Sequence, residues 1–184
     1  MSERPLPPDA DAPEKVEWAG QFVVAKRRGR WEYASRTRGI RAAVIVALDA
    51  GDVILVEQYR VPIGKVCLEL PAGLIGDEDE GEDDLDSARR ELEEETGYRA
   101  AHWENLGEFY SSPGMVEESF TLVKATGLTR VGEGGGIEHE DIVVHRVPLD
   151  RIAQTVADFR ARDVAIDSKI LMLLAPGLLE DAAQ

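Results

Sequence analysis

Hydrophobic and polar positions along this chain fall into short blocks whose period changes at marked points. The apolar runs Arg41-Ala42-Ala43-Val44-Ile45-Val46-Ala47-Leu48 and Val53-Ile54-Leu55-Val56-Glu57-Gln58-Tyr59 predict two strands, with Ala50-Gly51-Asp52 as the turn between them. Val66-Cys67-Leu68-Glu69-Leu70 predicts another strand, stopped by Pro71. Upstream, Phe22-Val23-Val24 and Trp31-Glu32-Tyr33 flank the basic turn Lys26-Arg27-Arg28-Gly29-Arg30, which predicts a hairpin over residues 16–36. The period then changes. Leu85, Ala88, Leu92 and Thr96 recur at i, i+3, i+7 and i+11, a narrow helical stripe. Asp83 or Asp84 suits its N-cap, and Gly97 stands where a left-handed C-terminal cap belongs. Strands are expected again over residues 105–110, 119–126 and 141–147, and helices over 149–161 and 167–174. The run Val131-Gly132-Glu133-Gly134-Gly135-Gly136-Ile137 is too glycine-rich to be expected rigid. Strands dominate without regular βαβ alternation, so the fold class is α+β.

The domain organisation follows. Residues 1–15, rich in Pro, Asp and Ala, read as a loosely ordered tail. Residues 16–38 form an N-terminal β extension, and residues 39–184 the main domain. The chain has 184 residues, with 36 acidic against 21 basic ones, for a net charge of −15. A chain so acidic lacks the cations that duplex binding or an anionic membrane demands, so neither partner is expected. No stretch is apolar for the roughly 18 residues of a membrane span, and the start has no apolar signal-peptide core. A lone cysteine, Cys67, excludes an internal disulfide and a cysteine-built zinc site. These features together predict a soluble cytoplasmic protein.

Charge changes the picture most between Asp77 and Glu95, which holds 12 of the 36 acidic residues. Asp77-Glu78-Asp79-Glu80 precedes the helix and reads as a solvated loop. Glu91 and Glu95 are i and i+4 on the helix, with Glu94 beside them at i+3 from Glu91. Each close pair of like charges costs up to roughly 4 kcal/mol before screening at an effective dielectric of about 20. The cluster also sits near the helix C-terminus, where the dipole disfavours carboxylates. A solvated acidic face is the plain reading. The chemical one is a hard divalent cation, Mg²⁺ or Mn²⁺ rather than zinc, drawn by converging oxygen ligands. An EF-hand does not fit, because the twelfth position counted from Asp77 is Ala88.

Spacing favours the chemical reading. Gly76, Glu82, Arg90-Glu91-Leu92, Glu94-Glu95 and Gly97-Tyr98 fill the pattern G-x5-E-x7-R-E-U-x-E-E-x-G-U, where U is apolar or aromatic. The chain therefore resembles the Nudix hydrolases. The resemblance implies a mixed β-sheet sandwiched between helices, with the N-terminal β-hairpin as an extension. It runs on through Glu57-Gln58-Tyr59-Arg60-x-Pro62, Leu68-Glu69-Leu70-Pro71-Ala72-Gly73-Leu74-Ile75, Ser112-Pro113-Gly114 and Glu138-His139-Glu140-Asp141-Ile142. These segments are similar to the ADP-ribose and nucleotide-sugar pyrophosphatase branch. One departure stands out. In that branch the glycine of the box is the one in Pro-Ala-Gly, here Gly73, yet eight residues separate Gly73 from Glu82. Three extra residues are implied, with Gly76 restoring the formal spacing.

The resemblance implies hydrolysis of a pyrophosphate bond in a nucleoside diphosphate substrate, ADP-ribose giving AMP and ribose 5-phosphate, or another such sugar as GDP-mannose. A non-catalytic sensor of ADP-ribose-like ligands is the remaining alternative. Glu91, Glu94, Glu95 and the carbonyl of Ala72 are the implied ligands of two or three Mg²⁺ or Mn²⁺ ions. Arg90 is the implied orienter of a ligand carboxylate, and Glu82 either pairs with it or is structural. Glu138 and Glu140 are the implied candidates for general base, with His139 a bystander. Phe22 and Trp31 match a base-stacking pair, with ordinary hydrophobic packing as the other reading. Arg36 and Arg60 match phosphate-contacting arginines, Glu69 a ribose contact, and Gly114 a substrate-side turn. A homodimer through the N-terminal extension is implied as well.

Overall fold

The computed structural model describes residues 5–37, 41–75, 84–137 and 140–174. Eleven strands and two helices are seen among these residues. The first three, β1 (Glu14–Ala19), β2 (Val23–Arg28) and β3 (Trp31–Arg36), form a separate antiparallel sheet in that order. The expected two-stranded hairpin is thus a three-stranded meander. Its first strand begins at Glu14, whose carboxylate accepts from the Tyr33 hydroxyl at 2.6 Å and from Arg28 at 3.0 Å. Ahead of it, Asp9 pairs with Arg30 at 2.8 Å.

The main sheet is mixed, and two of its strands make the core. These are β4 (Arg41–Asp49) and β5 (Asp52–Arg60), joined by a tight turn with Ala50 and Gly51 at positive φ. Successive side chains of a strand point to opposite faces, so a nearly continuous apolar run must be covered on both. The alternation sorts the residues accordingly. Val44, Val46, Val53 and Leu55 join one core with Leu68, Leu122, Ile152, Phe159 and Ile170. Ala43, Ile45, Ala47 and Ile54 join the other with Ala88, Leu92, Val123 and Ala125. Helix α1 (Asp84–Thr96) covers the second face, and helix α2 (Ile152–Ala161) the first. The sandwich of sheet between helices is what the residues required.

β4 and β5 share only the pairs Leu48–Val53 and Asp49–Asp52 before they part. Beyond that point β4 pairs with β7 (Ala72–Ile75) on one side and runs parallel to β9 (Ser119–Arg130) on the other. β5 pairs with β6 (Lys65–Glu69) and with β10 (Val143–Pro148). The divergence opens a cleft between the two halves, and the residues of the acidic helix face it.

Other elements differ from their sequence expectations in extent. β7 was not expected, since four residues after Pro71 carry no period of their own. β8 spans Tyr98–Tyr110, well ahead of the expected start at 105, because its first half pairs along β9 as an exposed edge strand. A register shift between Asn105 and Gly107 then breaks its pattern. The expected helix over 149–161 begins with a 3₁₀ turn at Leu149–Arg151, and the last helix is a 3₁₀ segment, Ser168–Leu174. It follows the short β11 (Ala165–Ile166), which runs parallel to β6. Among the described residues no helix is long and apolar enough to cross a membrane.

Candidate active site

Helix α1 supplies the centre of the site. Ala88 and Leu92 are fully buried and fix the helix against β4 and β9, which turns Glu91, Glu94 and Glu95 toward the cleft. Glu95 lies one turn beyond Glu91, and both border a cavity of about 460 Å³. Arg36, Arg60, Glu69, Ala72, Gly73, Arg90, Glu94 and Glu140 line the same cavity. Sequence reasoning named all of these, and four chain segments far apart in sequence bring them together.

β7 sits directly beneath the acidic face. The Ala72 amide donates to Glu95 Oε2 at 3.0 Å, and a Cβ on Gly73 would overlap Cγ and Cδ of Glu91. Gly73 is thus the glycine in close contact with the acidic face among the described residues. Gly76 and Glu82 lie outside the described residues. Arg90 Nη1 lies 3.0 Å from Glu91 Oε1 and 3.2 Å from Glu94 Oε2, bridging two of the carboxylates.

Electrostatics separate the three acids. Burial pushes the Glu95 carboxyl up to about 8, with Glu91 and Glu140 adding like-charge repulsion and the Ala72 amide opposing it. Burial likewise raises Glu91 to about 7, which Arg90 opposes and Glu94 and Glu140 reinforce. Both groups resist ionising at neutral pH in the protein alone. A buried and a half-buried carboxylate of this kind, with a third one turn from Glu91, suit a hard divalent cation, whose charge would relieve them. Glu91, Glu94, Glu95 and the Ala72 carbonyl are the residues that would hold it. Among the described residues no three acidic, histidine or cysteine groups already form a closed metal cluster, and Arg90 occupies part of the space between the acids.

The glycine-rich segment after β9 is fixed, not loose. Gly135 and Gly136 amides donate to the Glu95 and Glu94 carbonyls at 2.9 and 3.0 Å, and the Val131 amide donates to Gly97 O at 2.8 Å. The first two bonds satisfy carbonyls in the last turn of α1, which an ordinary helix end leaves open. The glycines are needed for close approach: a Cβ on Gly134 (φ +70°) would fall 2.5 Å from the Thr96 carbonyl carbon. The segment carries Glu140 to the cavity, where its Oε2 accepts the Ile137 amide at 2.9 Å. Glu138 and His139 lie outside the described residues.

Two of the expected substrate contacts, Arg60 and Glu69, line the cavity and hold each other. Arg60 Nε and Nη2 donate to the two oxygens of Glu69 at 2.7 and 2.8 Å. Glu69 is only 6% exposed, and the pair raises the Arg60 guanidinium further above its ordinary value. Arg36 is paired with Glu118. Phe22 and Trp31 are not in the cavity. Phe22 lies in the bend between β1 and β2 and Trp31 opens β3; they are 60% and 55% exposed. Trp31 and Gly114 line a second cavity of about 490 Å³ with Tyr33 and Pro113.

Gln58, Glu118, Phe120 and Lys169 also line the main cavity and were given no role from the sequence. Glu118 had a readable signal, an acid four residues past Gly114, but nothing in spacing alone links it to Arg36. Lys169 arrives from the C-terminal 3₁₀ segment, which the β11–β6 pairing and the buried Ile170 and Leu173 place here.

The site is thus a mixed sheet between helices, with a glutamate-rich helix over an Ala-Gly strand. The profile of the NUDIX domain matches residues 37–167, and the chain belongs to the Nudix family. It is 37% identical over 122 residues to the methanol dehydrogenase activator of Bacillus methanolicus, covering 66% of this chain and 64% of that one. With the ADP-ribose pyrophosphatase of Bacillus subtilis it shares 36% over 101 residues, 55% of this chain and 53% of the relative. With the GDP-mannose pyrophosphatase of Cronobacter sakazakii it shares 37% over 147 residues, 74% and 72%. The chain thus spans between half and two thirds of the first two relatives. A crystal structure of an ADP compounds hydrolase superposes with a TM-score of 0.68 at 24% identity, over 94% of this chain and 95% of that one, which establishes the fold.

Proposed function

We propose that this protein hydrolyses the pyrophosphate bond of ADP-ribose, with Mg²⁺ or Mn²⁺, to AMP and ribose 5-phosphate. The observation that carries the reading is the meeting of Glu91, Glu94 and Glu95 with Ala72, Gly73 and Arg60 around one cavity. Two or three divalent ions held by the glutamates and the Ala72 carbonyl would supply charge neutralisation at the diphosphate. The chain's own residues do the rest. Arg90 holds Glu91 and Glu94 in register before binding. Glu69 fixes the Arg60 guanidinium toward the cavity as a phosphate contact. Glu140, with Oε2 committed to Ile137, has its other oxygen for the attacking water. Water adds to one phosphorus as its proton passes to that carboxylate, and the P–O bond to the bridging oxygen breaks. Glu138 is the second candidate for this base.

A homodimer fits the exposed Trp18 and Trp31 on the N-terminal sheet and Phe22 in its first turn, whose aromatic rings would stack a nucleobase or pack against the second copy. A cytoplasmic location belongs to the same reading. GDP-mannose is a second candidate substrate, favoured by the longer match to relatives named GDP-mannose pyrophosphatase.

Incubation with Mg²⁺ and ADP-ribose, GDP-mannose or UDP-glucose, with chromatographic separation of products, tests the reading. AMP formed well above every other nucleotide product supports it. A preference for GDP-mannose keeps the chemistry and replaces the substrate. Tight binding without product favours a sensor.

A further inference from the structure

Lys169 is a cation of the main cavity to which the chemistry above gives no part. It is presented by the Ser168–Leu174 segment, anchored by the buried Ile170 and Leu173. Asp167 holds it twice: one carboxylate oxygen accepts the Lys169 amide at 2.7 Å, and the other accepts Nζ at 2.6 Å. The Asp167 amide donates in turn to Leu68 O at 3.0 Å. Leu68 is the neighbour of Glu69, which holds Arg60. Consecutive residues of β6 therefore carry two cation–carboxylate pairs into one cavity.

Both pairs leave donors free. Arg60 spends two of its five N–H donors on Glu69, and Arg36 is paired with Glu118. An ammonium has three donors. Asp167 is the single acceptor of Nζ among the described residues, so two of the donors remain for a ligand. The Lys169 side chain is 21% exposed, and Nζ lies 5.8 Å from the Phe120 ring centroid at the cavity wall. A tethered, half-buried ammonium with free donors, facing a site otherwise rich in carboxylates, suits a strongly anionic group.

We propose that Lys169 is a substrate-holding residue that donates to a phosphate oxygen of the bound nucleoside diphosphate, with Asp167 as its positioning residue. The inference rests on the pyrophosphatase reading above. It also makes the C-terminal segment part of the binding site, not only a lid on the core.

Lys169→Met and Lys169→Arg test it. Steady-state kinetics with ADP-ribose and Mg²⁺ should show KM about tenfold higher in Lys169→Met with kcat within about twofold, and most of the loss recovered in Lys169→Arg. Metal-free calorimetry with AMP and with ribose 5-phosphate, each alone, should show weaker binding of one of them in Lys169→Met, which identifies the phosphate contacted. Unchanged KM and unchanged product affinities overturn the proposal. So does equal impairment of both variants accompanied by a fall in Tm, the mark of a purely structural lysine. If the wild type hydrolyses no nucleoside diphosphate sugar, the pyrophosphatase reading fails by itself. The lysine is then judged by calorimetry alone, where loss of phosphate-ester binding in Lys169→Met sustains it and equal or absent binding overturns it.

Discussion

The Glu91 side chain lies across Gly73, so closely that any Cβ at that position would occupy the space of Glu91 Cγ and Cδ. A strand residue and a helix residue 18 positions apart thus define one another. The glycine is needed for clearance, since its backbone is ordinary strand paired with Ala43.

Replacing Gly73 by Ala should displace the Glu91 carboxylate by about an ångström while leaving the sheet paired. A misplacement of that size lowers kcat by about 100-fold. Titrating activity with Mg²⁺ should show a higher half-saturating concentration, and an unchanged metal requirement would argue against Glu91 as a ligand.

Glu95→Gln keeps an acceptor for the Ala72 amide but removes the charge. Turnover should fall by about 1,000-fold or more. The metal-free variant should melt no lower than the wild type at pH 8, because a carboxylate that burial penalises has been made neutral. Wild-type rates would remove Glu95 from the metal site.

The pH dependence of metal-free stability follows from the same burial. Glu91 and Glu95 ionise near 4.5 in the unfolded chain and at about 7 and about 8 in the folded one. Between these values the native state binds more protons than the unfolded state, so stability falls as pH rises. From these two groups the contribution is steady below 4.5, declines through the interval and levels off above 8. Melting curves in EDTA across this range should show the decline, and added Mg²⁺ should reduce it at the alkaline end.

Gly134→Ala tests whether the glycine run caps α1. Its φ of +70° and the 2.5 Å approach to the Thr96 carbonyl carbon leave a side chain no room against backbone. The strained conformation alone costs about 1–3 kcal/mol. Denaturant unfolding measures that loss, and hydrogen exchange at the Gly135 and Gly136 amides should accelerate. A freely moving loop would show neither effect.

For the base, Glu140→Gln and Glu138→Gln should be assayed separately. Loss of about 100-fold or more in one, with the pH–rate profile losing its acidic limb, assigns the role. Near-normal rates in both move it elsewhere.

Much of this protein was legible before any coordinates. The continuous apolar runs at 41–48 and 53–59 required a sheet covered on both sides, and the stripe Leu85, Ala88, Leu92, Thr96 fixed which face of the helix went inward. Once that face is buried, helical geometry sets Glu95 and then Glu91 along its edge, with Glu94 farther round, so the place of the acidic centre beside the core follows from period and spacing. What the chain order cannot express is which distant segments arrive opposite that face. The pairing of β4 with β7 placed Ala72 and Gly73 beneath the glutamates, and the short β11–β6 ladder brought Lys169 to the cavity. The glycine run looked loose because glycine is locally permissive, yet its amides found the open carbonyls of α1. Local periodicity therefore determined the elements and the acids. Tertiary structure decided their partners, because cross-strand register and close backbone approach join residues with no fixed separation in sequence.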